Sequence, residues 1–345
     1  MIACIFTIDY EIYGSGEGDL RTLVLDPSRQ LLALFDRWNA RIVNFVEAAE
    51  LEKIEEFRTD AAVSEVRDQI REMRKQGHEI ALHLHPQWFN ARPEGGQWLL
   101  DYAEYNLCVL PPERISKLVR QAIAYLGEVV GDSGFKPFSF RAGNWLFQPT
   151  RHAAAALARE GVRIDSSVFK GGCQGFHGLD YRRSCRNPDF WTFSSDVNVP
   201  DPHGTMLEIP IYTKLVPFWK MVTGKRVGLQ RKGGYSSRSL KQRVSRLRDL
   251  SRLTHPLKFD FCRMTLRELT TMVDEVAAED RKTPEQFRPM VMIGHSKDLL
   301  DFEAIERFLE YLAKRQIDVA TLEQVYDRCL GPAAIRPSPV YSPVN

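Results

Sequence analysis

The sequence lacks the cysteine spacing of a disulfide-framework domain or a structural zinc site. Its six cysteines are scattered along 345 residues, and no two of them form a C-x-x-C pair. Closely spaced cysteine pairs mark zinc sites, and a high cysteine density marks small secreted domains. The sequence therefore predicts free, mostly buried thiols in a reducing compartment.

An excess of charge of one sign and long apolar runs are also missing. Lysine and arginine total 47 against 45 acidic residues. The formal net charge of +2 is too small to produce the positive field that attracts nucleic acid. No apolar run reaches the roughly 18 residues that a membrane helix needs. Residues 1–9 enter an apolar strand at once, without the basic region and cleavage site of a signal peptide. We expect a cytoplasmic protein.

Short apolar segments and amphipathic helical segments alternate along most of the chain. The predicted strands are 2–8, 41–46, 79–84, 137–140, 162–164, 259–261, 290–294 and 318–320. The predicted helices between them are 31–38, 61–76, 112–130, 150–160, 265–278, 303–314 and 322–329. Repeated strand–helix units imply a parallel sheet with helical crossovers. The expected fold is α/β, a distorted parallel (β/α) barrel of about seven strands.

The alternation stops after the fifth strand. Residues 169–256 are rich in Gly, Arg, Ser and Pro, with strands predicted at 190–199 and 206–212 and a basic helix at 238–253. We expect this insertion to lie over the catalytic face, as part of one domain that spans residues 1–331. Residues 332–345 contain four prolines and predict an extended tail. The basic helix has two interpretations. It is either an amphipathic helix with a solvated charged face, or a patch that binds a diphosphate group. That diphosphate would belong to a nucleotide sugar or to a lipid-linked sugar at the inner membrane face.

Polar side chains with catalytic potential follow the apolar strands at the point where each ends. They are Asp9, Glu11, His83, His85, Arg141, Asp165 and His295. In a parallel barrel all strand carboxyl ends open onto one face, which is where active sites lie. Two histidines at i and i+2 after one strand can reach the same metal ion, and carboxylates can bind a metal or act as a base.

These segments, in this order, resemble the motifs of the NodB-homology polysaccharide deacetylases, carbohydrate esterase family four. The matching segments are Thr7-Ile-Asp-Tyr-Glu11, residues 41–46, Gly77-His-Glu-Ile80 through His83, Ser139-Phe-Arg-Ala-Gly-Asn-Trp145, Ile164-Asp-Ser-Ser167, Leu207-Glu-Ile-Pro210 and Ile293-Gly-His-Ser296. Together they span residues 1–325, so the resemblance covers nearly the whole chain.

The resemblance implies a set of roles. Glu11, His83 and His85 would hold a divalent ion, which we expect to be zinc, and Asp9 would be the general base. Arg141 would keep Asp9 ionised. His295 would protonate the leaving amine, with Asp165 orienting it, and the backbone at 143–145 would help to bind the oxyanion. Two positions depart from the family pattern, because Gln87 stands at the usual second histidine and Tyr10 at the usual second aspartate.

Aromatic residues flank these motifs, and sugars stack their C–H faces on such rings. Trp88, Asn144 and Trp145 are the predicted substrate-binding residues. The expected function is metal-dependent hydrolysis of an acyl amide or ester on a sugar, as in O-antigen or capsule assembly. One alternative is a metal-independent hydrolase of a small non-sugar amide on the same fold. Another is a barrel that binds glycans without catalysis.

Overall fold

The computed structural model describes residues 1–221 and 253–331. The strands within these ranges are β1 Ile2–Tyr10, β2 Val43–Glu47, β3 Glu79–Leu84, β4 Arg92–Glu94, β5 Gln97–Leu99, β6 Ser139–Ala142, β7 Ile164–Asp165, β8 Cys173–Gln174, β9 Leu179–Asp180, β10 Trp191–Phe193, β11 Met206–Glu208, β12 Thr213–Val216, β13 His255–Lys258, β14 Arg288–His295 and β15 Asp318–Val319.

Amphipathic helices connect these strands. They are α1 Asp26–Arg37, α2 Ala48–Phe57, α3 Val63–Lys75, α4 Pro112–Val130, α5 Arg151–Arg159, α6 Leu266–Asp280, α7 Phe302–Lys314 and α8 Leu322–Leu330. Two helices begin with a capping box, at Thr265 for α6 and at Thr321 for α8, which satisfies the first free N–H groups. A left-handed Gly131 ends α4, where a residue without a Cβ is favoured.

A curled sheet forms the centre of the fold. Its order is β10-β11-β7-β6-β3-β2-β1-β14, with β15 also paired to β1. From β11 to β14 every pairing is parallel, which gives seven adjacent parallel strands in the described residues. Bridges from Ile211 to Phe169 and to Val291 bring the two ends of the sheet together. The predicted distorted parallel barrel is confirmed.

Both faces of the barrel strands are buried, as expected when helices cover a parallel sheet. In β1 every residue after Ile2 is buried. Phe6 packs edge-on against Phe35 of α1 and against Phe261, and it also contacts Phe308 of α7. These rings join the barrel interior to the outer helices, so the strand ends that carry the site rest on a rigid core.

Two differences from the predicted elements affect the site. Helix α2 was not predicted, because it follows β2 directly with no turn residue between them; Glu47 ends the strand and caps the helix with its own side chain. The segment expected to be wholly an insertion also contributes β11 to the central sheet, beside β7.

Several predicted features lie outside the described residues. They include the basic helix apart from Leu253, with Arg243, Arg246 and Arg248, and the proline-containing tail at 332–345. Their structure therefore stays a prediction. None of the helices in residues 1–221 and 253–331 has the length and hydropathy that crossing a bilayer requires.

Candidate active site

Asp9 lies near the carboxyl end of β1, at the mouth of the barrel. It is paired in register with His295 of β14, which places the two side chains on neighbouring strands. Asp9 Oδ1 accepts a hydrogen bond from Arg141 Nη1 at 2.7 Å, and Oδ2 lies 3.5 Å from His295 Nε2. Burial alone would raise the pKa of Asp9, but Arg141 and the nearby histidines outweigh it and lower the pKa. Asp9 is therefore ionised and able to accept a proton.

Arg141 is held on every side and is completely buried. Its Nε donates to the carbonyl of Ser166 at 3.0 Å, and its guanidinium lies 4.1 Å from the centre of the Phe45 ring. These contacts fix the orientation of the guanidinium, so its positive charge stays next to the Asp9 carboxylate. The family resemblance implied a contact between Arg141 and Asp9, and the structure has that contact.

Four groups converge next to Asp9 into a cluster that could hold a metal ion. Glu11, Glu47, His83 and His85 each offer one ligand atom, and these atoms lie within 4.8 Å of one another. Glu11 Oε2 is 3.1 Å from His85 Nε2 and 3.6 Å from His83 Nε2. Three of the four were predicted as ligands. Glu47 was missed, although it also ends a buried strand and the same strand-end argument would have found it.

The outward-facing atoms of this cluster are satisfied by the protein. His83 Nδ1 is 2.8 Å from the carbonyl of Arg141, Glu47 Oε1 accepts from the Ala49 N–H, and Glu11 Oε1 accepts from Lys297 at 2.8 Å. The inward Oε2 of Glu47 is buried and finds no hydrogen-bond partner within the described part of the chain, and the inward Oε2 of Glu11 faces the ring nitrogens of His83 and His85. Buried carboxylate oxygens without partners fit a bound cation, so the donor set suits a divalent metal.

Gln87 supports His85 from the position where a histidine was expected. Its Nε2 lies 3.2 Å from His85 Nδ1, as does Asn144 Nδ2, while the buried Gln87 Oε1 lacks a hydrogen bond among residues 1–221 and 253–331. A half-turn of the Gln87 amide would let Oε1 accept a hydrogen bond from Nδ1–H. His85 Nε2 would then carry a free lone pair toward the cluster, as a metal ligand requires.

His295 does not contact Asp165, and the predicted orienting role of Asp165 is corrected. The carboxylate near His295 Nδ1 is Asp298, with Oδ2 at 3.6 Å. Asp165 instead accepts from Ser167 Oγ at 2.7 Å and shares a hydrogen bond with Glu208, its register partner on β11. The reason is geometric: Glu208 of β11 and Ser167 take up the Asp165 carboxylate, whereas Asp298 follows His295 by three residues in the turn after β14. Burial lowers the pKa of His295 to about 4, so its ring is neutral at neutral pH.

Lys258 is a further charged group at the mouth that the sequence did not single out. It ends β13, and its Nζ lies 3.0 Å from the centre of the Trp145 ring and 4.8 Å from that of Phe169. Burial lowers its pKa to about 7, with Asp260 opposing the shift and Arg263 adding to it. No recognisable motif surrounds Lys258, so only the tertiary contact with Trp145 reveals it.

The predicted substrate-binding residues divide into two groups. Trp88 is completely buried and packs edge-on against Trp98, so it belongs to the core and that prediction is wrong. Asn144 and Trp145 lie on the turn after β6, both with left-handed backbone conformations, and the Trp145 ring is 6.2 Å from that of His295. Gly143 allows this turn, because a Cβ there would come within 2.5 Å of the Leu84 carbonyl oxygen.

Comparison with solved structures identifies the fold without using the sequence motifs. A structure from Mycobacterium smegmatis, described as a polysaccharide deacetylase, matches 100% of this chain and 95% of its own with 16% identity and a TM-score of 0.52. A branching enzyme of glycoside hydrolase family 57 from Thermococcus kodakaraensis matches 94% of this chain and 70% of its own, with 13% identity and a TM-score of 0.51. No protein-family profile matches the sequence, and no curated protein does.

The fold is thus the NodB-like barrel seen in polysaccharide deacetylases, as the sequence motifs implied. Because an enzyme of a different kind is about equally similar, the fold alone does not select a reaction. The choice of reaction depends on the side chains at the mouth of the barrel.

Proposed function

We propose that this protein is a metal-dependent deacetylase that hydrolyses an acyl amide on a sugar. One observation carries the proposal: an ionised aspartate, held by Arg141, lies between His295 and a buried cluster of two glutamates and two histidines. A base, an acid and a cation site within one mouth are the parts that hydrolysis of an amide requires.

The cluster would hold the metal through Glu11, Glu47, His83 and His85. We infer Zn²⁺, because two imidazoles with carboxylates form a donor set that zinc favours. When bound, the ion supplies Lewis acidity, which polarises a carbonyl group and makes a nearby water molecule more acidic.

The side chains of the chain handle the protons. Asp9 accepts a proton from the water that attacks the acyl carbon, and Arg141 keeps Asp9 ionised until then. His295, 3.5 Å from Asp9, is neutral at rest and can take up this proton, because its Nε2 faces Asp9 Oδ2. It then passes the proton to the nitrogen that leaves as the C–N bond breaks. The Trp145 ring lies 6.2 Å from that of His295, beside the acid.

The substrate itself is the finer part of the proposal. We propose a sugar carried on a nucleotide or a lipid during surface-polysaccharide assembly, such as O-antigen or capsule, by an enzyme working in the cytoplasm. The support is the excess of arginine and lysine in residues 214–252, which would attract a phosphate-bearing carrier.

Acetate release from a panel of acetamido sugars tests the reaction. The wild type should release acetate, and Asp9→Asn should release at least roughly a hundredfold less because the base is gone. Metal content of the variant should stay at the wild-type value, which separates loss of the base from loss of the site. Asp68→Asn, on the exposed surface of α3, is the matched control.

A second candidate is a metal-independent hydrolase of a small non-sugar amide. Lys297 favours it, since its Nζ donates to Glu11 Oε1 and to the Ile12 carbonyl and brings positive charge to the cluster without an ion. Full activity of metal-free protein in a strong chelator would support this candidate and contradict metal dependence.

A further inference from the structure

Lys258 brings an ammonium group into the mouth of the barrel that no acidic side chain neutralises directly. It ends β13, where it pairs with Thr213 of β12, and its side chain is partly buried. Among residues 1–221 and 253–331, no carboxylate oxygen lies within 4 Å of Nζ and no acceptor forms a hydrogen bond with it. Removing a cation from water without a partner costs free energy, so this group points to a ligand of negative charge.

The acidic side chains whose charges reach Lys258 already have other partners. Asp9 accepts a hydrogen bond from Arg141 at 2.7 Å. Asp260 lies 3.7 Å from Arg263 and accepts the backbone N–H groups of residues 262 and 263. Burial lowers the pKa of Lys258 to about 7; the two carboxylates oppose this shift and the two arginines add to it. The carboxylates therefore do not take the place of a partner for the ammonium.

Trp145 supplies a second donor beside this ammonium. Lys258 Nζ lies 3.0 Å from the centre of the Trp145 ring and 4.8 Å from that of Phe169. The indole N–H of Trp145 is buried and has no acceptor in the part of the chain that the structure describes. A buried N–H without an acceptor is costly unless a ligand provides one. An ammonium and a free N–H on one aromatic ring are a pair of donors that suits an anion.

This pair of donors lies next to the groups that would carry out the reaction. The Trp145 ring is 6.2 Å from that of His295, and the preceding residue, Asn144, has Nδ2 at 3.2 Å from His85 Nδ1. In the proposed function the leaving nitrogen lies at His295. A group on the adjoining carbon of the same sugar can therefore reach Lys258 and Trp145.

We propose that Lys258 and Trp145 form an anion subsite for a phosphate group on the carbon next to the acylated amino group of the sugar. The proposal rests on the proposed function and specifies how its phosphate-bearing carrier is recognised. The Lys258 ammonium forms an ion pair with the phosphate, and the Trp145 indole N–H donates to one of its oxygens. The phosphate that joins the sugar to its carrier is thus bound inside the mouth.

Calorimetry at pH 8 with glucose 1-phosphate and glucose tests the subsite, because neither probe has an acyl group to lose. The wild type should bind glucose 1-phosphate more tightly than glucose. Lys258→Met should reduce this preference roughly tenfold or more, because a charged hydrogen bond is removed. Lys258→Arg should keep most of it, and Trp145→Phe, which keeps a ring but removes the N–H, should lose part. Lys314→Met, on the exposed last turn of α7, is the control for loss of one positive charge.

The proton balance of binding is a readout that a merely structural lysine would not change. At pH 8 the Lys258 amine is mostly neutral, because its pKa is about 7, whereas the phosphate is already a dianion. The bound phosphate should raise the pKa of Lys258, so that binding takes up as much as about one proton. The observed heat then changes with the ionisation enthalpy of the buffer in the wild type and not in Lys258→Met.

Three results would overturn the proposal. One is binding of glucose 1-phosphate by Lys258→Met as tight as by the wild type. Another is tighter binding of glucuronate, whose carboxylate lies elsewhere on the ring, than of glucose 1-phosphate. The third is an equal loss of kcat in Lys258→Met for N-acetylglucosamine and its 1-phosphate, which would indicate that Lys258 acts on the reacting carbonyl.

Acetate release distinguishes failure of the subsite from failure of the proposed function. If the protein binds glucose 1-phosphate through Lys258 but releases no acetate from any acetamido sugar, the deacetylase proposal fails and the anion subsite remains. If it releases acetate from N-acetylglucosamine and from the 1-phosphate with the same KM, the subsite fails and the deacetylase proposal remains.

Discussion

Removing the charge of Arg141 should be among the most destabilising single changes at the barrel mouth. Arg141→Met leaves Asp9, which is itself buried, without its hydrogen-bonded cation and with only the nearby histidines His83 and His295 to offset its charge. It also leaves the Ser166 carbonyl without its 3.0 Å donor. Breaking a buried ion pair by removing one partner costs about 3–5 kcal/mol, because the other charge remains desolvated. Methionine retains most of the apolar stem, so lost packing against Phe45 contributes little.

Urea unfolding followed by circular dichroism measures this cost from the shift in midpoint at constant slope. A double-mutant cycle with Asp9→Asn sharpens the test. Once Asp9 is neutral, Arg141→Met should cost less by about 1–3 kcal/mol, since no unpaired carboxylate is left behind. The control is Arg37→Met, which breaks an exposed ion pair with Glu306 and should cost less than about 1 kcal/mol.

The reasoning is refuted if Arg141→Met costs no more than Arg37→Met. It is also refuted if the effects of Arg141→Met and Asp9→Asn simply add, because the ion pair would then contribute nothing as a pair.

Three further outcomes are expected. His83→Ala with His85→Ala should reduce metal content to background by mass spectrometry while far-UV circular dichroism stays unchanged; retained metal would contradict the proposed ligands. His295→Asn should lower kcat roughly 10²–10⁴-fold, and an unchanged kcat would exclude it as the acid. Because the folded pKa of Lys258 is about 7 and its ordinary value is 10.5, the unfolded chain binds more protons between these values. Stability should therefore rise with pH from 7 to 10, and more steeply in wild type than in Lys258→Met.

Much of the candidate site follows from the strand-end pattern in the sequence. Asp9, His83, Arg141 and His295 each lie at the end of an apolar strand, and parallel strands necessarily bring their carboxyl ends to one face. Register then places Asp9 opposite His295 and His83 opposite Arg141. The local hydrophobic pattern and the order of the strands were sufficient to predict that these residues share one face of the barrel. Neither depends on which side chains finally touch.

Only the tertiary structure decided which partners those side chains have. Asp298 rather than Asp165 lies beside His295, because Glu208 and Ser167 hold the Asp165 carboxylate and the turn after β14 brings Asp298 back to the His295 ring. Glu47 joins the cluster that could hold a metal because its other oxygen caps α2, a helix that no turn residue in the sequence indicated. Trp88 is buried although it follows a histidine motif, and the Tyr105 ring packs against that of His177, about 70 residues further along the chain. Sequence periodicity reports the face on which a residue lies, whereas contacts between loops depend on how the whole chain packs.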